Sequence, residues 1–405
     1  MTISRSQLLG PVVLVPALLL GLVVANRLYF VRAEPHFDFV AFWSAGRAVG
    51  RGLNPYDRQV LVEMQKPVGY RPGFCSLFYY PLWTGAFFAP LGLLPFRWAA
   101  AVWQTLNQVM LLAAIGLAFA GLDWRPSPRQ LLLIIALCLL YHPTMVAFLD
   151  GQISILILLI LTASFYLLQP QGNRVAEAAA GGLLALTLLK PQLVFLVLPV
   201  ILIHLLLRRR WAGVLGFAGT FAVMLNVTWL LSPGWIGSWL SDRGEQMVSS
   251  QLVPSVWGVA HDLWPSGWLF LGGAACIVLL AWLGTVWRRC HRSHSLGGLI
   301  TMAIVVGQLV APFMWVYDQV LLLLPLMAAF AWSEAHPRQG VWWTVLGLWA
   351  VGLPGALYVL ANVRGRATAN ALLPFVLMCL LAFLFRRSHG ERTAGASDVE
   401  TSGVG

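Results

Sequence analysis

Charged residues are scarce in this chain. Only 10% of its 405 residues are charged and 59% are hydrophobic, with a mean hydropathy of +0.77, whereas a soluble globule of this size carries roughly a quarter charged residues. That deficit excludes a soluble domain of ordinary composition. Lysine is nearly missing, since Lys66 and Lys190 are the only two among 26 basic residues. The five cysteines (Cys75, Cys138, Cys276, Cys290, Cys379) have no paired spacing. They read as small apolar residues, not as zinc ligands or a disulfide framework. The eight histidines show no H-x-x-x-H spacing, and D-x-D pairs in the outer loops are lacking, so no metal is expected. No P-loop occurs, and no G-x-G-x-x-G on a strand–helix turn, which excludes the usual nucleotide cradles; no cofactor is expected. Alternating short strands are missing too, which argues against a β-barrel.

What is present is a succession of Leu-rich runs of helical spanning length, punctuated by Pro, Gly and Arg. Only helices or closed barrels satisfy their backbone groups in lipid, so the fold class is all-α, a polytopic transmembrane bundle of about 12 spans. The first run, Leu8 to Leu28, reads as a retained first span, being too long for a signal h-region and without a cleavage site. Later spans are expected at about 98–121, 130–149, 153–169, 175–207 (interrupted at Lys190-Pro191), 211–231, 267–287, 295–311, 319–332, 340–360 and 369–385. A single membrane domain thus covers 1–385, with a first extracytoplasmic loop at about 30–97 and a second at about 232–266. Residues 386–405 read as a disordered cytoplasmic tail. No repeat is evident.

The net charge of +11 and pI near 10.0 do not point to nucleic acid, because many of the arginines sit in short loops, as orientation by positive flanks requires. Arg208 to Arg210, Arg288-Arg289 with Arg292, and Arg386-Arg387 are expected to be cytoplasmic. Two arrangements of the intervening chain remain. In one, 77–95 does not cross and 175–207 is a hairpin of two short helices, so that Asp150-Gly151-Gln152 and Lys190-Pro191 lie outside together with Asp38. In the other, 77–95 crosses, 175–207 is one long span, and those two features move. The first places more arginines inside and gathers the unusual polar residues on one face.

Those polar residues form four groups. Phe37 to Asp57 carries Asp38, Arg47, Arg51 and Asp57 beside the first span. Asp150-Gly151-Gln152 separates two apolar runs, Lys190-Pro191-Gln192 interrupts a third, and Tyr317-Asp318 follows Ala311-Pro312. Ionisable groups at membrane depth mark a site by default. Each also has a structural reading. Asp38 fits an N-cap as well as a general base, Arg47 and Arg51 can pair with lipid phosphate, Lys190 can snorkel, and Asp150 can cap the next helix. Asn54-Pro55 reads as a turn and Tyr56 as an interfacial anchor. A carboxylate beside cations at a membrane face suits glycosyl transfer from a lipid-phosphate sugar: the carboxylate takes a proton from the acceptor hydroxyl, and the cations hold the leaving phosphate. A transporter or lipid flippase is the competing class, since broken helices with charged residues also build transport sites.

Taken together, DFVAFWSAGRAVGRGLNPYD, FYYPLW with PLGLLP, DGQIS, LLKPQLVFLVLP and APFMWVYDQVLLLLP resemble glycosyltransferase family 87 over about residues 37–330. The resemblance implies a GT-C architecture, with interfacial helices in the first outer loop. It implies an inverting transfer of a hexose, often mannose, from a polyprenyl-phosphate donor to an envelope glycan or glycolipid acceptor, at the periplasmic face of a bacterial inner membrane and among membrane lipids. Asp38 is then the base. Gln152, Lys190 and Gln192 line the donor site, Tyr317 and Asp318 complete it, and Arg47 and Arg51 are further substrate-binding candidates. Where some relatives have a histidine in the last motif this chain has Tyr317-Asp318, and it has Tyr80-Pro81 where many relatives show a double proline.

Overall fold

The computed structural model describes residues 5–32, 38–69, 75–169, 173–241, 253–293, 295–334, 338–364 and 367–384. It is 83% helical, with no strand among the described residues; the expected tail at 386–405 lies outside them. The chain opens with α1 (Arg5–Arg32), α2 (Phe39–Val49), α3 (Arg58–Gln65), α4 (Leu82–Gly92), α5 (Phe96–Gly121), α6 (Pro128–Leu140), α7 (His142–Leu149) and α8 (Ser154–Leu168). A broken stretch follows as α9 (Arg174–Leu186), α10 (Pro191–Val194) and α11 (Val197–Leu207). Then come α12 (Trp211–Leu231), α13 (Trp235–Ser241), α14 (Val256–Leu263), α15 (Trp268–Ser293), α16 (Leu296–Val310), α17 (Leu323–Ser333), α18 (Gln339–Gly347) and α19 (Leu353–Arg364).

Among the described residues five helical stretches are long and apolar enough to cross a membrane: α5, α12, Trp268–Cys290 of α15, Val316–Ser333 and Gln339–Ala361. The pair α6 and α7, bent by 56° at a break, makes a sixth if it is one span. The segments expected at 153–169, 295–311 and 369–385 form shorter apolar helices, Ser154–Leu168, Leu296–Val310 and Thr368–Leu384. A helix of 15 residues is about 22 Å long, short of a hydrocarbon core of about 30 Å. The count of about 12 therefore includes segments that length alone does not carry across. α4 has 11 residues and is about 16 Å long, so segment 77–95 is not a spanning helix.

The chain divides into two compact units. The first comprises Met1–Leu112, Phe148–Ile153 and Val223–Arg243. Its centre is the crossing of α2 and α4, where the backbones touch. A Cβ on Gly46 would overlap the Phe88 carbonyl, and one on Gly92 would overlap the Arg47 backbone, the close approach that small residues permit between helices. Aromatic rings seal the crossing, with centroids 5.0 Å apart for Phe42 and Phe88, 5.4 Å for Trp43 and Phe96, and 4.8 Å for Phe88 and Trp103. Asn54 Oδ1 accepts from the Tyr56 N–H and so forms the expected turn, and Asp57 caps α3 through the Gln59 N–H. Tyr56 corrects its expectation: its ring is buried and its hydroxyl donates to the Tyr80 carbonyl at 2.9 Å, so packing and not the lipid interface holds it.

The second unit comprises Ala113–Ala147, Ser154–Ala222 and Gly244–Gly405. α6 starts at a capping box of Ser127 with Gln130 and has Pro128 in its first turn, where the missing N–H costs nothing. α16 is buried almost along its whole length. The stretch 175–207 breaks at Lys190, whose backbone (φ −137°, ψ 74°) leaves the helical region ahead of Pro191, as the ring of a following proline demands. Glu177 near the start of α9 and Arg210 just after α11 form an ion pair of 2.8 Å, and Arg210 also donates to the Leu168 carbonyl at 2.9 Å. In one continuous helix these two residues would stand about 50 Å apart. The stretch therefore folds back on itself as a hairpin.

Candidate functional site

In the first unit the site is built around Asp38. The residue occupies the N-cap position of α2, yet its side chain makes no capping bond. It is exposed, and its Oδ2 accepts a 2.6 Å hydrogen bond from Nε2 of the fully buried Gln152. The short loop that brings Gln152 there is fixed from both sides. The Phe39 N–H donates to the Asp150 carbonyl at 3.1 Å, and Trp103 Nε1 donates to the Gly151 carbonyl at 2.8 Å. Gly151 has φ +61°, and a Cβ there would lie 2.7 Å from that of Phe39. Only glycine meets both demands cheaply.

Arg47 and Arg51 stand at the other end of α2, nine and thirteen residues beyond Asp38, a rise of about 13 Å and more. Arg47 donates to the Gly92 carbonyl at 3.1 Å and lies over the Trp43 ring at 5.3 Å. Burial first, and Arg51 second, lower its pKa from the ordinary arginine value. Arg51 is exposed and reaches Met64 Sδ at 3.6 Å. The structure does not bring these two to Asp38.

In the second unit Lys190 and Asp318, each only 1% exposed, pair at 2.5 Å. Ser154 completes a closed triangle. Its hydroxyl donates to Asp318 Oδ1 at 2.6 Å and accepts from Lys190 Nζ at 3.1 Å. The other carboxylate oxygen of Asp318 accepts from the Trp315 N–H at 3.1 Å. The Tyr317 ring lies 4.7 Å from the Lys190 ammonium, within reach of a cation–π attraction. Gln192, two residues past the break, is half-buried, as is Tyr317. The ammonium is thus neutralised and solvated by protein, as burial of a charge requires. Among the described residues no three His, Cys, Asp or Glu side chains gather as metal ligands would.

A model of glycosyltransferase family 87 matches residues 78–312, more than half of the chain. The chain belongs to glycosyltransferase family 87. Members of the family are membrane glycosyltransferases of the GT-C type. No curated protein and no solved structure matches the chain. Within this family 87 chain the matched region holds Gln152, Ser154, Lys190 and Gln192, while Asp38, Tyr317 and Asp318 fall outside it.

Sequence reasoning about this family 87 member missed Ser154, although it closes the D-G-Q-I-S motif, because a serine at a helix start reads as a cap. It also missed Trp103, whose indole is one of many in an apolar run. Glu177 and Arg210 were hidden because a terminal arginine of a basic loop reads as a topogenic charge and not as a buried partner.

Proposed function

We propose that this family 87 protein transfers a mannose-like hexose from a polyprenyl-phosphate donor to an envelope glycan or glycolipid, with inversion, at the periplasmic face of a bacterial inner membrane. Asp38 is the general base. The observation that carries this reading is the Asp38–Gln152 contact: an exposed carboxylate, not spent on capping its own helix, held in one orientation by a buried amide. A base must be reachable by the acceptor and fixed in direction, and Asp38 has both properties. In the reaction the acceptor oxygen attacks the anomeric carbon, its proton passes to Asp38, and the bond from that carbon to the phosphate oxygen breaks, releasing polyprenyl phosphate.

Lys190 and Asp318 serve by holding the break in the hairpin, since their charges already satisfy one another. Tyr317, its ring 4.7 Å from the Lys190 ammonium, and Gln192, two residues past the break, are both half-buried and are the donor-binding candidates of their unit. A transporter reading draws on the same break, but a lysine sealed against a carboxylate leaves it no free charge to offer a solute. Replacing Asp38 with Asn keeps the shape and the Gln152 neighbour. Purified D38N protein is expected to fold and insert normally while losing transfer from a panel of polyprenyl-phosphate sugars by about a thousandfold or more, toward the upper end of what a positioned base contributes. Transfer at the wild-type rate would remove Asp38 from the mechanism.

A further inference from the structure

The first unit carries a second feature, independent of Asp38 and of the transferase reading, at the opposite end of α2. A chain of contacts links four arginines from there into the start of α5. Arg47 bonds the last residue of α4, and Arg51 follows one helical turn later. One turn before Arg47, Trp43 Nε1 donates to the Leu94 carbonyl at 3.0 Å, which ties α2 to the link into α5 and hence to Arg97. The next residue, Trp98, lies under the Arg27 guanidinium at 5.4 Å. Among the described residues none of the four pairs with a carboxylate, and Arg27 Nε is a buried donor without an acceptor. Exposed apolar side chains stand among them, Leu93 (77% exposed) and Trp98.

The depth of this edge is set by two helices. α1 exposes Leu18, Leu20 and Leu28 along an apolar run that ends at Tyr29, and α5 is of spanning length and begins at Phe96. They touch at Asn26, whose Nδ2 donates to Thr105 Oγ1 at 3.0 Å and Gln108 Oε1 at 3.1 Å. From beside Asn26, Arg27 reaches back toward the start of α5, as a basic side chain does when it snorkels to the interface. Tyrosine, tryptophan and arginine at helix ends mark the headgroup layer. Guanidiniums that no carboxylate neutralises meet phosphates at that level, which they bind through paired N–H donors.

We propose that the edge formed by Arg27, Arg47, Arg51 and Arg97 binds the phosphate headgroup of an acidic phospholipid of the surrounding bilayer, with Leu93 and Trp98 seated among its acyl chains. Detergent-purified protein titrated with phosphatidylglycerol or phosphatidylcholine and observed by native mass spectrometry tests this. The wild-type chain is expected to retain phosphatidylglycerol in preference to phosphatidylcholine. The triple variant R47Q/R51Q/R97Q should weaken that retention by roughly fivefold for each charge removed, and R47K/R51K/R97K should keep most of it. Addition of inorganic phosphate should not displace the lipid. Equal retention of phosphatidylglycerol by the wild type and the glutamine variant, equal retention of the two lipids, or displacement by inorganic phosphate would each overturn the proposal. If the glutamine variant does not fold, the lysine variant decides: loss of phosphatidylglycerol binding in a folded lysine variant also counts against it, because the charge would then be present without effect.

Discussion

The two ionisable centres differ in what holds them. Asp38 is exposed and oriented by a neutral amide; Lys190 and Asp318 are sealed from solvent and hold each other. A buried charge left without its partner costs about 3–5 kcal/mol, whereas replacing both charges by apolar groups of similar volume is often neutral. Lys190→Met and Asp318→Leu are therefore each expected to destabilise the protein by that amount, and the double variant by much less than the sum. Thermal unfolding in detergent, run as a double-mutant cycle, measures the coupling. Additive losses would mean that the pair is not the unit described.

At the scale of elements, the hairpin of α9 to α11 is the least ordinary part of the fold. The Pro191 break was legible in the sequence, because a proline constrains the residue before it whatever lies elsewhere. The return of the chain was legible only as one of two topologies, and the Glu177–Arg210 pair selects it. The two ends of the hairpin must then share one side of the membrane. In a background with the five native cysteines replaced, Val175→Cys and Trp211→Cys, both at exposed positions, are expected to react with an impermeant maleimide from the same face of sealed vesicles. Labelling from opposite faces would restore the single long span.

For the whole molecule, the distribution of apolar side chains is that of a protein dissolved in lipid. α15 leaves Phe270, Ile277 and Val278 exposed, Ile277 by 70%. Water would penalise such a surface, while a bilayer rewards it. Ile277→Asp, near the middle of Trp268–Cys290, is expected to cost about 3 kcal/mol of insertion and to lower the fraction of protein resistant to carbonate extraction. Unchanged extraction would show that this face of α15 does not meet lipid.

By itself the sequence determined the class of the molecule and the points where its helices fail. Charge depletion and long apolar runs leave a helical membrane protein as the economical solution, and Lys190-Pro191 or the Asp-Gly-Gln turn interrupt a helix through constraints that act within a few residues. Only the tertiary structure decided which residues meet. Gln152 lies 114 residues from Asp38, and Lys190 lies 128 from Asp318; no local periodicity encodes such a pairing. Asp38 as a cap and Asp38 as a base are the same residue at the same helix end, told apart by whether its carboxylate turns inward to its own N–H groups or outward to a distant amide. Arg47 and Arg51, far closer to Asp38 in sequence than Gln152 is, part from it because a helix of 11 residues carries them to its other end.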